Sequence, residues 1–435
     1  MRNVEREERH VFPLTNAQRG LWAAQKRDPG VPFVIGRYIE IFEDIDVAAL
    51  RRAGRAAAIE YGSGALRIVE VDGEPFQFVD TDLERCVVLE DLTEEPDPVG
   101  AAHRWMRAEC AAPVAMTDSP LVTSALLRVG SSHYFWYVRA HHVALDGYGV
   151  MALVRRTAQI YNSSVTGTVA PSSRAADLEE LADLEGRYRS SERFGDDRLY
   201  WRDRLSSLSA QDDMCVMATV PLQSTAELSS AHRRDLEVLG SETGGMASVV
   251  IAAIATFFAE RSGRSDVVLG LRTSGRTSRA MRDAAGSVDN IVPLLLTDVG
   301  GSSTEERIDM ARRTLLGALR HQRYRFEDMQ RDRGAHPAAR PFGPVINLML
   351  EETAVDLAGF RAGVGVLTSG PVHDVQVDVY RTGMGALHLD LLGNSNTYTP
   401  SELSALHQSL VRFVERFAAE GRRPARRLSL VPPLV

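Results

Sequence analysis

Residues 134–138 read Tyr-Phe-Trp-Tyr-Val, an aromatic and β-branched run that predicts a largely buried strand over 134–140. Beyond it the period changes. Val150, Leu153, Val154, Ala158 and Tyr161 recur at helical spacing while Arg155, Arg156 and Gln159 fall on other faces, which predicts a helix over 149–161. The same patterning predicts a strand over 38–42, a helix over 47–59 and a strand over 65–70 that reverses at Asp72-Gly73. Thr15 is a candidate N-cap for a helix that buries Leu21 and Trp22. Further helices are expected over 176–187, 196–205 and, as a buried helix, 246–261. Ser303 and Glu306 have the spacing of a capping box ahead of a helix carrying Ile308, Leu315, Leu316 and Leu319. Residues 162–174, rich in Ser, Thr, Gly and Pro, predict a boundary between a domain of residues 1–172 and one of residues 173–435.

Composition narrows the function classes. A chain of 435 residues with 44% hydrophobic and 25% charged residues has room for two cores. A net charge of -8 argues against nucleic acid or an anionic membrane as partner. The N-terminus lacks a basic stretch followed by an apolar one, and the longest apolar helix candidate, 249–258, is too short to span a bilayer, so a cytoplasmic location is expected. Cys86, Cys110 and Cys215 are odd in number and widely spaced, which fits a reducing compartment and no zinc pattern. Lys26 is the only lysine, so a phosphate-loop lysine or a Schiff-base lysine is not available elsewhere, and no G-x-S-x-G elbow occurs. Histidine chemistry without a covalent nucleophile remains.

Between the predicted strand and helix lie His141, His142, Asp146 and Gly147. Successive strand side chains point to opposite faces, so one histidine should face a cavity and the other the packing. The alternation assigns His142 to the cleft and His141 to the packing side with Tyr137 and Arg139. A metal site is disfavoured because the two rings diverge and no third ligand cluster is near. Gly147, Gly149 and Ala152 spell a partial G-x-G-x-x-A, but the strand does not run into the first glycine and no second strand with an acidic end follows, so a dinucleotide site is rejected.

The run His141-His142-Val143-Ala144-Leu145-Asp146-Gly147 resembles the HHxxxDG motif of the condensation domains of nonribosomal peptide synthetases, which are similar in fold to chloramphenicol acetyltransferase. Leu14-Thr15-Asn16-Ala17-Gln18-Arg19-Gly20-Leu21-Trp22 resembles that family's first motif, and Asp196-Asp197-Arg198 with Tyr200-Trp201 its D-R-x-Y-W segment. Ser274-Gly275-Arg276 is similar to its A/S-G-R turn, and His321 to Glu327 to its H-Q motif ending in F-E. Phe342 to Asn347 and Thr368 to Asp374 resemble stretches of enterobactin-type members. Two departures stand out. The R-H-E-x-L-R-T motif survives only as Leu66-Arg67, and the V-N-x-x-P-L motif carries Asp289 where many members have an apolar residue or glycine. Gly300-Gly301-Ser302-Ser303 looks superficially like a carrier-protein site, but the capping box explains it more simply.

The resemblance implies an α/β fold of two chloramphenicol acetyltransferase-like lobes in a V-shaped pseudo-dimer, with the active site in the cleft between them. The implied reaction joins an acyl or aminoacyl thioester, borne on the phosphopantetheine of a donor peptidyl carrier protein, to an amine on an acceptor carrier or a free amine. No bound cofactor or metal is implied, and a monomer is expected. His142 is expected to act on the amine as base or orienting hydrogen bond, with His141, Asp146 and Gly147 completing the motif. Asp146 is expected either to orient His142 or to pair with Arg67 or Arg276; Gly147 allows the turn and aims a backbone N–H at the thioester oxygen. Tyr148, Asn347 and Ser369 are candidates to line the substrate channel. Acyl-coenzyme A is expected to be a poor donor. An ester-forming enzyme with a hydroxyl acceptor, and a non-catalytic recruitment domain, stay open as alternatives.

Overall fold

The computed structural model describes residues 10–81, 87–208, 217–335, 342–352, 354–383 and 385–421. Cys86 and Cys215 lie outside the described residues. The first part of the chain forms β1 (Phe12–Pro13), α1 (Asn16–Arg27), β2 (Val34–Ile41), α2 (Val47–Tyr61), β3 (Leu66–Val71), β4 (Glu74–Val79) and β5 (Val88–Asp91). It continues with α3 (Pro98–Ala111), β6 (Val122–Arg128), β7 (Tyr134–His141), α4 (Gly147–Thr166), α5 (Leu178–Arg189) and α6 (Glu192–Leu205). Then come β8 (Pro221–Ser224), α7 (Ser230–Thr243), α8 (Met246–Ser262), β9 (Val267–Thr273), α9 (Arg279–Arg282), β10 (Asn290–Leu296), α10 (Thr304–Arg320) and α11 (Phe326–Asp332). Last are β11 (Val345–Glu352), β12 (Ala354–Leu357), β13 (Phe360–Ser369), β14 (Val375–Arg381), β15 (Leu387–Asn394) and α12 (Pro400–Gly421).

Two six-stranded sheets carry the architecture, in the orders β12-β13-β2-β7-β6-β5 and β10-β9-β11-β14-β15-β8. A small third sheet, β1-β4-β3, sits beside the first. In the first sheet β7 pairs antiparallel with β2, Val34 opposite His141, so the end of β7 lies against the start of β2. On the other edge of β2 runs β13, with Ser369 opposite Ile35. The division expected at residue 172 is therefore incomplete: β12 and β13, drawn from far down the chain, complete the first sheet. Val355, Leu357, Ala362 and Val364 accordingly belong to the same apolar core as Trp136 and Leu126. A second core gathers α8, α10 and α12 against β9, β10, β14 and β15.

Local signals formed where expected. Thr15 accepts from the Gln18 N–H and Gln18 returns the bond, a capping box, and Ser303 with Glu306 forms another. Asp72 and Gly73, at φ 52° and 82°, make the reversal between β3 and β4. Helix α4 is longer than the periodicity predicted, starting at Gly147 and ending on left-handed Gly167. In α10 the buried face is Ile308, Ala311, Thr314 and Ala318, while Leu316 is exposed. Among the described residues no single helix is long and apolar enough to cross a membrane.

Candidate active site

The extended backbone carries through the histidine pair. His141 N–H donates to Leu121 O at 2.7 Å on one side, and His142 N–H to Phe33 O at 2.8 Å on the other, so the two rings leave on opposite faces. The His141 ring is enclosed. Val143 N–H donates to its Nδ1 at 3.1 Å, which leaves Nε2 as the donor to Gln25 Oε1 at 3.0 Å. Gln25 in turn donates to Asp28 O and Val31 O, both at 3.0 Å. Burial, helped by His142 and Arg139, pushes His141 down to about 3, so it stays neutral and holds the turn. Gln18 of α1 reinforces that turn by donating to Val143 O at 3.1 Å.

His142 faces the other way and is 5% exposed. Its Nε2 lies 3.2 Å from Ser369 O, at the end of β13. A carbonyl oxygen only accepts, so in this arrangement Nε2 carries the hydrogen and Nδ1 the lone pair. Gly370, at φ 101°, permits the approach, since a Cβ there would stand 2.6 Å from Nε2. Burial holds the His142 imidazole below its ordinary value; Asp289, the Ser369 carbonyl and Asp146 oppose this, while Arg272 adds to it. The ring is thus neutral near pH 7 and able to take a proton.

Asp146 is fully buried, and none of its carboxylate's hydrogen bonds goes to His142. As N-cap of α4 it accepts from Gly149 N at 2.7 Å, and it accepts the Val288 and Asp289 N–H groups at 2.9 Å each. Arg276 grips it bidentately at 2.8 and 3.0 Å. Arg276 also donates to the carbonyls of Ser274, Ala284 and Gly286. The aspartate is therefore a clasp from the first sheet's helix α4 to the segments flanking β9 and β10. Arg67, the other expected partner, instead bonds Asp80 at 3.3 Å, across the hairpin of the small sheet.

Gly147 also differs from expectation. It is the first residue of α4, has no left-handed φ, and a Cβ there would only reach ordinary contact, 3.7 Å from Arg37 Nη2. The sterically required glycine is Gly149, where a Cβ would come within 2.6 Å of Gly286 O and 2.8 Å of Gly286 N.

His142 opens onto a cavity of about 580 Å³ walled by α1, the approach to β10, α11 and the segment leading into β14. Arg272, Asp289, Phe33 and Arg325 share its wall with His142. None of the three channel candidates is in this wall, though Ser369 meets His142 through its carbonyl. Tyr148 is 48% exposed with the Arg276 guanidinium 5.6 Å from its ring, and Asn347 lies opposite Asp378 in the second sheet. Two arginines escaped the sequence reading. Arg37 is buried in β2 and donates to Thr368 O at 2.7 Å and Ser369 Oγ at 3.4 Å; Arg272 bonds Asp289 at 3.0 Å. Arg272 is the one charge in β9, whereas Arg37 shares β2 with Glu40. Tyr200, Trp201 and Asp197 pack on the H-Q segment, Trp201 donating to His321 O at 2.9 Å.

Two six-stranded sheets flanked by helices thus carry between them a cavity whose wall holds the neutral His142, and the family to which such a fold belongs is one of acyltransferases. Residues 8–434 match the condensation-domain family model, and the chain belongs to the condensation domains of nonribosomal peptide synthetases. The family forms amide bonds by acyl transfer. The chain is 32% identical over 416 residues to a dimodular nonribosomal peptide synthase of Bacillus subtilis (strain 168), covering 94% of this chain and 18% of that protein. It is 32% identical over 426 residues to an isonitrile lipopeptide synthase of Streptomyces coeruleorubidus, covering 94% of this chain and 29% of the relative. It thus spans less than a third of either relative's length. Among solved structures, the first condensation domain of the calcium-dependent antibiotic synthetase with a substrate analogue aligns at TM-score 0.86 and 27% identity, covering 95% of this chain and 97% of that one. A double mutant of the starter condensation domain of rhizomide synthetase, in complex with C8-CoA and Leu-SNAC, aligns at TM-score 0.86 and 29% identity, covering 95% of this chain and 96% of that one. The match to these structures is the chloramphenicol acetyltransferase-like fold.

Proposed function

We propose that this domain joins an acyl thioester, carried on the phosphopantetheine of a donor carrier protein, to an amine presented on an acceptor carrier or free in solution. The two lobes form a V, and the acceptor meets the thioester at His142 in the cleft. The amine nitrogen attacks the thioester carbonyl carbon, the C–N bond forms and the C–S bond breaks. The amine proton passes to the His142 imidazole and from there to the departing thiolate. Asp146 and Arg276 hold the lobes in register without entering the chemistry.

The observation that carries this reading is the neutral, nearly buried imidazole of His142 on the wall of a cavity of about 580 Å³. The chemistry needs a group that is uncharged at rest and gains charge in the transition state. A coenzyme A thioester is a donor to be included, because the rhizomide synthetase starter domain holds C8-CoA. The test is single-turnover amide formation from acyl-carrier thioester and from acyl-coenzyme A, each with amine and with hydroxyl acceptors. Amide product that depends on His142 supports the reading. Ester as the sole product assigns the hydroxyl acceptor instead, and absence of any transfer from either donor overturns it.

A further inference from the structure

The cavity wall holds an ion pair that the reaction scheme above does not use. Asp289 Oδ2 and Arg272 Nη1 lie 3.0 Å apart, from the segment entering β10 and from β9, and both line the cavity onto which His142 opens. Neither is incidental in position. The Asp289 N–H is held by Asp146 Oδ2 at 2.9 Å and its carbonyl accepts from Arg325 Nη1 at 2.8 Å. The Arg272 Nε donates to Gln376 at 3.4 Å. The motif aspartate thus fixes the backbone that carries a second carboxylate into the wall of the cavity His142 shares.

We propose that Asp289 is a positioning residue for His142, its carboxylate offsetting the positive charge that the imidazole acquires when it takes the proton of the attacking amine. The inference rests on the proton-accepting role of His142 stated above. During transfer the C–N bond forms, the C–S bond breaks and one proton moves from nitrogen to imidazole to sulfur, so the imidazolium is transient. A fixed carboxylate near a transient cation lowers the barrier because it is in place before the charge appears. Arg272 limits this effect and keeps the resting site close to neutral.

The charges around the pair agree in sign. Burial acts to raise Asp289, but Arg272, His142, Arg325 and Arg276 outweigh it and keep the carboxyl ionised below its ordinary range. Around His142 stand Asp146 on its own segment, Arg272 on β9, Asp289 before β10 and the Ser369 carbonyl on β13, with Arg37 of β2 reaching Ser369 beside it and His141 leaving on the opposite face of the strand. Of these, Asp289 is the largest influence favouring the protonated ring.

The test measures single-turnover amide formation from pH 5 to 9, with thermal melting, for the wild type, Asp289→Asn, Asp289→Glu, Arg272→Gln and His142→Ala. Asp289→Asn is expected to lose about 10- to 100-fold in rate, less than loss of a proton-accepting group itself, with the KM for the amine little changed. Its acid limb moves to lower pH, because removing the carboxylate makes the imidazolium more acidic. Arg272→Gln moves the limb to higher pH, and Asp289→Glu restores part of the rate. An Asp289→Asn variant with the wild-type limb overturns the inference, whether its rate is unchanged or falls only with its melting temperature. His142→Ala separates this from the broader reading: if it retains the wild-type rate, or if the wild type forms no amide, the function proposed above fails and Asp289 falls with it. Amide formation that requires His142 but not Asp289 removes the Asp289 role alone.

Discussion

The carboxylate of Asp146 and the guanidinium of Arg276 meet through two hydrogen bonds, of 2.8 and 3.0 Å, across 130 residues of sequence, with side chains 0% and 3% exposed. Every remaining contact of that carboxylate is a backbone N–H. Replacing Asp146 with Ala leaves Arg276 charged, buried and without its anion, at a cost of roughly 3–5 kcal/mol. Asp146→Ala is therefore expected to melt far below the wild type or to fail to accumulate. Unchanged melting with abolished turnover would instead make Asp146 part of the chemistry.

Removing His142 should leave the fold intact, because its ring makes one 3.2 Å hydrogen bond and otherwise borders a cavity. The expected loss in single-turnover rate is about 10²–10⁴, the span for a positioned proton-transfer group. Stopped reactions and thermal melts on His142→Ala check both halves, and a rate within threefold of wild type refutes the assignment.

His141 should act through stability. Truncation strands Gln25 Oε1 and the Val143 N–H in the core, at a cost of about 1–3 kcal/mol. The same ring makes the fold acid-sensitive. Between its ordinary value of 6.5 and about 3, the unfolded chain binds a proton at His141 that the folded chain refuses. Stability from this residue is thus complete above pH 6.5 and declines as pH falls through that window. Urea midpoints from pH 7.5 to 5 should fall in the wild type and fall less in His141→Gln; parallel curves would remove His141 as the cause.

Gly149→Ala should be more damaging than Gly147→Ala, the reverse of what the motif suggests. A methyl at Gly149 meets the Gly286 backbone at 2.6 Å, whereas one at Gly147 meets only a side-chain nitrogen at 3.7 Å. Overpacking of this kind costs about 1–3 kcal/mol. Comparing the two denaturation midpoints decides it, and equal midpoints would mean that the α4 start shifts away from Gly286 at little cost.

The amino-acid sequence by itself determined everything governed by neighbours within a few positions. The strand before the histidines, the caps at Thr15 and Ser303, and the Asp72-Gly73 reversal follow from side-chain size, hydrogen bonding within a turn and backbone freedom. The opposite faces taken by His141 and His142 were legible too, because strand alternation is a property of the backbone. Tertiary structure alone decided the rest. Arg67 falls in a predicted strand and Arg276 in a turn matched to a motif, and only the packing of the sheets brings Arg276 to Asp146 while the hairpin takes Arg67 to Asp80. Nothing local marks residues 354–369 as strands of the first sheet, since pairing of β13 with β2 spans more than 300 residues. For the same reason nothing local marks Arg37 and Arg272, and Asp289 reads only as a departure from a motif: a buried ion is tolerated only where partners from elsewhere in the chain converge on it, and that convergence is a fact of three dimensions.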